Sequence, residues 1–108
     1  MLLNYLAIWE FEIKPESRAQ FEEIYGPDGA WARLFRRSTD YGGTALVRDL
    51  DRPDRYVTLD RWTSREALQR FKQDHHAAYT ALDEQCMSLT ERELFLGDFQ
   101  NLTGQPES

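Results

Sequence analysis

The side chains best suited to acid–base work near neutral pH are two adjacent histidines, His75 and His76. An imidazole of ordinary pKa changes charge in that range. Neighbouring residues of a regular helix point in different directions, so the pair would not chelate one metal ion without a local break and a carboxylate such as Asp74; no metal site is expected. The plainer account of His75 is that it continues a helical stripe with Phe71 and Tyr79, with His76 in solvent. The single cysteine, Cys86, lies four residues after Leu82 on the same stripe and reads as a small core residue rather than a nucleophile. The chain has no Gly-rich phosphate loop, no G-x-S-x-G elbow, no H-E-x-x-H and no C-x-x-C, and Gly42-Gly43 is explained by a strand-entry turn.

A stronger chemical signal is the number of rings. The chain carries three Trp, five Tyr and six Phe, 13% of its residues, and they must fill a core, a pocket or an interface. Trp62 ends an extended run just before a helix cap, and Trp31 follows a Gly-rich interruption. Phe71, His75 and Tyr79 step along one helix face. A cleft between helices and sheet would bring these together, and a ring-lined cleft with few polar groups suits a flat aromatic ligand or a porphyrin. For Trp9 and Phe71, burial in the core is the simpler expectation.

The elements that would position these rings are legible from period and punctuation. Residues 2–13 alternate as a strand, with Tyr5, Ala7, Trp9, Phe11 and Ile13 on one face and Leu6 and Ile8 on the other. Pro15 and Glu16 open a helix whose stripe is Phe21, Ile24 and Tyr25. Gly26-Pro27-Asp28-Gly29 interrupts it, and helical spacing resumes through Trp31, Leu34 and Phe35. Strands are expected over 44–50 and 55–62, joined by the turn Asp51-Arg52-Pro53-Asp54. Thr63 with Glu66 reads as a capping box. The helix after it runs through Leu68, Phe71, His75, Tyr79, Leu82 and Cys86, with a break expected near Asp74-His75. The last strand spans 91–99, and 101–108 reads as a polar tail beyond one domain of residues 1–100.

That order, β-α-β-β-α-β, is an α+β ferredoxin-like sandwich with an antiparallel four-stranded sheet. Right-handed crossovers put both helical layers on one face. The strands nonetheless carry apolar residues on both faces, with Leu94 and Leu96 set against Phe95 and Phe99. An antiparallel sheet with one wet face should alternate more cleanly, so a second copy is expected to cover the open face, making a homodimer.

With 108 residues the chain suits one domain needing no disulfide or metal staple. Its net charge of −6 would repel a phosphate backbone, which excludes nucleic acid as the expected partner. One cysteine suits a reducing cytoplasm. The apolar start lacks the features of a secretion signal, and no run is long enough for a membrane span.

The run Tyr56-Val57-Thr58-Leu59-Asp60-Arg61-Trp62-Thr63-Ser64-Arg65-Glu66-Ala67-Leu68, with Phe71 and His75-His76 after it, resembles the central signature of the antibiotic biosynthesis monooxygenase domain. Trp9-Glu10-Phe11-Glu12-Ile13-Lys14-Pro15, Phe21 and the turn from Asp49 to Asp54 fit as well. The resemblance implies a dimeric ferredoxin-like fold with a pocket between helices and sheet, in a family of cofactor-independent oxygenases of aromatic polyketides or quinols and of haem-degrading enzymes. From the polyketide-type oxygenases, Trp62 is the residue carried over. The haem-degrading residues are not matched: Ile8 or Trp9 stands for their Asn, Phe71 for their Trp, and their His falls near Ala81. Haem bound through His75 stays an alternative.

The resulting expectation is a small monooxygenase acting on a phenol, hydroquinone or polyketide-like substrate with no cofactor. His75 and Trp62 would be catalytic, the first as base and the second donating from its indole to a carbonyl. Trp31, Phe71, Tyr79 and His76 would contact substrate. A dimeric ligand-binding module without catalysis is the competing expectation.

Overall fold

The structure is a computed structural model and describes residues 4–102. The elements run β1 (Tyr5–Ile13), a 3-10 turn (Pro15–Ser17), α1 (Arg18–Tyr25), α2 (Ala30–Phe35), β2 (Tyr41–Arg48), β3 (Arg55–Trp62), α3 (Arg65–Asp74), α4 (His76–Cys86), a second 3-10 turn (Met87–Leu89) and β4 (Thr90–Gln100). All strand pairs are antiparallel, in the order β2-β3-β1-β4. The chain crosses from β1 over β3 to reach β2, and from β3 over β1 to reach β4. This is the α+β ferredoxin-like arrangement.

The alternation of β1 sets the two faces. Tyr5, Ala7, Phe11 and Ile13 are buried under the helices. They meet Phe21 and Tyr25 of α1, Trp31, Leu34 and Phe35 of α2, and Leu68 and Phe71 of α3 in one core. From β3, Tyr56, Thr58, Asp60 and Trp62 point into the same layer, and Tyr56 and Trp62 are among the most deeply buried side chains. The rings touch in sequence, from Phe21 stacked on Tyr25 at 4.3 Å to Trp31, Phe35, Trp62 and Phe71. The break near Asp74-His75 is present: His75 is a non-helical joint with φ −120° and ψ 34° between α3 and α4.

Four details bound or correct the sequence expectation. β1 begins at Tyr5 within the described residues, so a start at Leu2 lies outside them, as does the tail after Leu102. β2 begins at Tyr41 rather than Thr44 and ends at Arg48, because a register shift at Gly43, whose φ of +115° suits glycine, lets the strand extend backwards. Thr63 does not cap α3. Its N–H donates to the Asp40 carbonyl, which keeps it strand-like, and the cap is Ser64, whose Oγ accepts from the Ala67 N–H at 3.0 Å. Ser64→Ala is therefore expected to cost about 1 kcal/mol in urea unfolding, and Thr63→Ala clearly less.

The fourth detail concerns β4. Its pairing with β1 skips Leu96, with Gly97 at φ +138°, and the extra residue switches the alternation. Phe95 pairs with Trp9 on the helix side, but Phe99 pairs with Leu6 and so joins Leu94 on the outer face, not Phe95. The outer face thus carries Leu6, Ile8, Val47, Leu59, Leu94 and Phe99, with Val47, Leu94 and Phe99 each more than two-fifths exposed. At one end of it, Glu10 is buried between Arg55 at 2.9 Å and Arg92 at 3.2 Å, and the Arg55 guanidinium holds the Glu10 carboxyl below its usual range. Among the described residues no helix is long and apolar enough to cross a membrane.

Candidate functional site

A cavity lies between the sheet and the α2–α4 layer. Its walls are Trp9 and Phe11 of β1, Tyr25 at the end of α1, Trp31 and Phe35 of α2, and Tyr79 of α4. Thr44 and the β3 pair Thr58 and Asp60 supply polar groups from the sheet, while Asp83 and Glu93 supply carboxylates from α4 and β4. The cavity measures about 40 Å³, and about 420 Å³ when its solvent-open mouth is counted. The smaller figure admits water but not a ring system, so an aromatic ligand has to displace side chains at the mouth.

Asp60 is the unusual group here. Strand alternation sends it inward from β3 between Thr58 and Trp62, and it is 9% exposed. Thr44, directly across on β2, donates to its Oδ1 at 2.6 Å. The Thr44 hydroxyl has one proton, which Asp60 takes, so the 2.5 Å contact between Tyr41 and Thr44 is a Tyr41 donation. Tyr41, Thr44 and Asp60 form a directed chain ending on the carboxylate. Among the described residues no hydrogen bond reaches the second oxygen of Asp60. Burial raises its pKa from 3.8 to about 6, with the Thr44 bond and the nearby Lys72 ammonium opposing the rise. Glu93 is also pushed up, by burial and then by the Asp83 charge. Tyr79 is pushed up to about 12 by burial, with Asp83, Asp60 and Glu93 adding to the effect.

The residues expected to form the site are only partly brought together. Trp31 and Tyr79 both line the cavity and pack edge-to-face on each other, ring centroids 5.1 Å apart. Trp62 is fully buried behind the wall, packed on Phe35, Tyr41 and Phe71, and its indole N–H has no partner among the described residues. Phe71 is core and sits against Trp62. His75 stacks on the far side of Phe71 at 4.6 Å and opens into a different depression, with Arg37, Asp40, Arg70 and Asp74 around it. His76 is exposed. His75 is not in the cavity lining; it packs on Phe71, which in turn packs on Phe35 of the cavity wall. The physical reason is the joint at His75, which directs α4 so that Tyr79, not His75, reaches the aromatic wall.

The depression at His75 is lined mainly by polar and charged residues, with Ala67 and Phe71 as its apolar part. No group of His, Cys, Asp and Glu among the described residues is arranged to hold a metal ion. Sequence reading missed Asp60, Thr44 and Glu93. For Asp60 a signal existed: a carboxylate on the inward phase of a strand otherwise reading Tyr56, Thr58, Trp62.

The sheet order and the cavity beneath two helical crossovers define a ferredoxin-like α+β protein with a ring-lined site. The family profile described as antibiotic biosynthesis monooxygenase matches residues 4–81. The chain belongs to that family. Among solved structures it is similar to a Bordetella bronchiseptica protein provisionally described as an antibiotic biosynthesis monooxygenase, at 22% identity over 94% of this chain and 100% of that one, with a TM-score of 0.75. SnoaB from Streptomyces nogalater, a cofactor-independent oxygenase, aligns at 22% identity over 98% of this chain and 100% of its own, with a TM-score of 0.68. Rv0793 from Mycobacterium tuberculosis aligns at 19% identity over 94% and 97%, with a TM-score of 0.68. At these identities the likeness shows the fold. No curated protein sequence matches the chain.

Proposed function

We propose that this protein is a small cofactor-independent monooxygenase that oxidises an electron-rich phenol or hydroquinone-like ring in the cavity. The observation that carries the reading is a buried carboxylate, Asp60, held by one hydrogen bond at the floor of a cavity walled by aromatic rings. The family membership and the cofactor-independent oxygenase among the similar folds support the same chemistry.

For a phenol with a hydrogen at the para carbon, Asp60 accepts the phenol proton. The phenolate gives one electron to dioxygen, leaving a phenoxyl radical and superoxide. These join at the para carbon as a peroxide, which takes up a proton. Loss of water breaks the O–O bond and leaves a para-quinone. One oxygen atom of dioxygen ends in the quinone and the other in water. A base with a pKa near the working pH suits the first step. Trp31 and Tyr79 would hold the ring, and the apolar walls exclude bulk water from the radical pair.

A panel of electron-rich phenols and hydroquinones under air tests this by oxygen uptake. Uptake above the buffer rate is expected for at least one member, and none across the panel would remove the assignment. His75→Ala is expected to stay within about twofold of the parent rate, since His75 sits outside the cavity; a loss of about 100-fold, the size of a general-base effect, would return the role to His75. The competing reading is a ligand-binding module without turnover, and native mass spectrometry showing bound aromatic ligand in a protein that consumes no oxygen would support it.

We also propose that a second copy covers the outer sheet face, whose Leu6, Ile8, Val47, Leu94 and Phe99 have no helix over them among the described residues. A dimer is expected by sedimentation at micromolar concentration, and a double change of Leu94 and Phe99 to Asp should give the monomer. A monomeric parent protein contradicts the proposal.

A further inference from the structure

The charges lining the cavity are all of one sign. Asp60, Asp83 and Glu93 reach its wall, and among the described residues no Arg, Lys or His does. Elsewhere in the molecule carboxylates are matched: Glu10 with Arg55 and Arg92, Glu12 with Arg52, Asp49 with Arg55, Asp54 with Arg18. Asp83 and Glu93 have no ion pair among the described residues, yet they lie close enough for each to disfavour ionisation of Glu93 or Tyr79. The nearest cation, Lys72, has its ammonium 5.3 Å from the Tyr79 ring centroid and lines a neighbouring depression rather than this cavity. It offsets part of the Asp60 charge.

The second observation is the wall itself. Trp31, Tyr79 and Tyr25 line the same space, the Trp31 indole N–H is buried with no partner among the described residues, and Asp60 is nine-tenths buried with a single hydrogen bond, from Thr44. Rings and carboxylates together form the kind of enclosure that attracts a cation, through the negative ring faces and through charge-assisted hydrogen bonds. A carboxylate or phosphate ligand would meet like charge on three sides. A neutral ligand would leave the Asp83–Glu93 pair uncompensated.

We propose that the cavity takes an aromatic ligand bearing a protonated amine, with the ammonium seated at Asp83 and Glu93 beside Tyr79 and the ring reaching inward to Trp31 and Asp60. This rests on the reading that the cavity is the substrate site, and it narrows the substrate to an amine-bearing phenol. Asp60 remains free to act as base because the amine is neutralised at the mouth.

Calorimetric titration of the full chain with naphthylmethylammonium, naphthalenemethanol and naphthoate tests it, three probes with one ring and different charge. The ammonium is expected to bind about tenfold or more tighter than the alcohol, and naphthoate weakest. The double variant Asp83→Asn, Glu93→Gln should shrink the gap to about threefold or less while the alcohol's affinity holds. Glu93→Lys, near the cavity mouth, should turn the preference towards naphthoate. Equal or tighter binding of the alcohol, no binding of any probe, or a gap that survives the double variant overturns the proposal. The result is separable from the oxygenase reading: an ammonium preference without oxygen uptake sinks only the chemistry, and uptake with a preference for neutral phenols sinks only the amine.

Discussion

Asp60→Asn should slow phenol oxidation by about 100-fold or more while making the protein harder to unfold at pH 8. Both effects follow from one placement. The carboxyl lies in a cavity of rings, 9% exposed, with a single hydrogen bond from Thr44. Burial disfavours its charged form and lifts the pKa from 3.8 to about 6. The sign of the stability effect is set by which state holds the proton. Between those two pKa values the folded chain keeps a proton that the unfolded chain releases. The contribution of Asp60 to stability is therefore fully present below about pH 4 and is lost as pH rises through about 6. Above that, the ionised group costs about 2–3 kcal/mol. Asn has no charge to bury and still accepts from Thr44, so the variant should be more stable than the parent at pH 8 and close to it at pH 4. Thermal unfolding at the two pH values reads this difference. Activity runs the other way, since only the carboxylate can take a proton, and kcat/KM of the parent should climb through about pH 6. A variant that loses activity and stability together would mean Asp60 is structural.

Gly29→Ala is expected to cost about 3 kcal/mol or more and to disturb the cavity as well as the fold. The reason is close approach, not backbone freedom, since φ at Gly29 is an ordinary −82°. A methyl group there would sit 2.3 Å from the carbonyl oxygens of Glu23 and Ile24 and 2.6 Å from the Ile24 carbonyl carbon, all backbone atoms of α1 that cannot swing aside. Relief requires α2 to back away from α1. That move would pull Trp31 and Phe35 off Tyr25, Trp62 and Tyr79, the contacts that shape the cavity wall. Gly26→Ala meets one carbonyl, Glu22, at 2.8 Å and should cost less. Gly43→Ala meets nothing within 4 Å and carries only the strain of a positive φ, about 1 kcal/mol. Urea unfolding of the three variants should rank them in that order, and a Gly29→Ala protein of parental stability would contradict the packing described.

The fold was legible because each local signal agreed with its neighbours. Period two in β1, the Gly26-to-Gly29 interruption and the drift at His75 are backbone events written directly in residue type. The capping residue was displaced by one because Thr63 and Ser64 are both good caps, and the Asp40 carbonyl in a loop far along the chain decides between them. The faces of β4 depended on a bulge at Gly97, which alternation counted from either end cannot reveal. The site was read less well. Trp31 and Tyr79 were expected on the wall and line it. His75 drew attention by its chemistry, but the turn at its own backbone carries it behind Phe71, and no spacing rule predicts that. Asp60 was passed over because a strand carboxylate is ordinarily solvated, and only the three-dimensional arrangement of Trp31, Phe35 and Tyr79 shows it to be buried.

The proposed dimerisation and the proposed catalysis would use opposite faces of the same sheet. Among the described residues no helix covers the outer face, and the inner face holds the cavity. A dimer-breaking change such as the Leu94 and Phe99 pair should therefore leave Asp60 and its hydrogen-bond chain in place, and the two claims can fail separately.

The most direct test of the central claim follows oxygen atoms. A dihydroxynaphthalene with a free para position would be turned over under isotope-labelled oxygen gas, with no flavin or metal added, by the parent protein and by Asp60→Asn. The expected result is a quinone carrying one labelled oxygen from the parent protein, formed about 100-fold more slowly by the variant. Unlabelled quinone, or equal rates of formation by the two proteins, would contradict it.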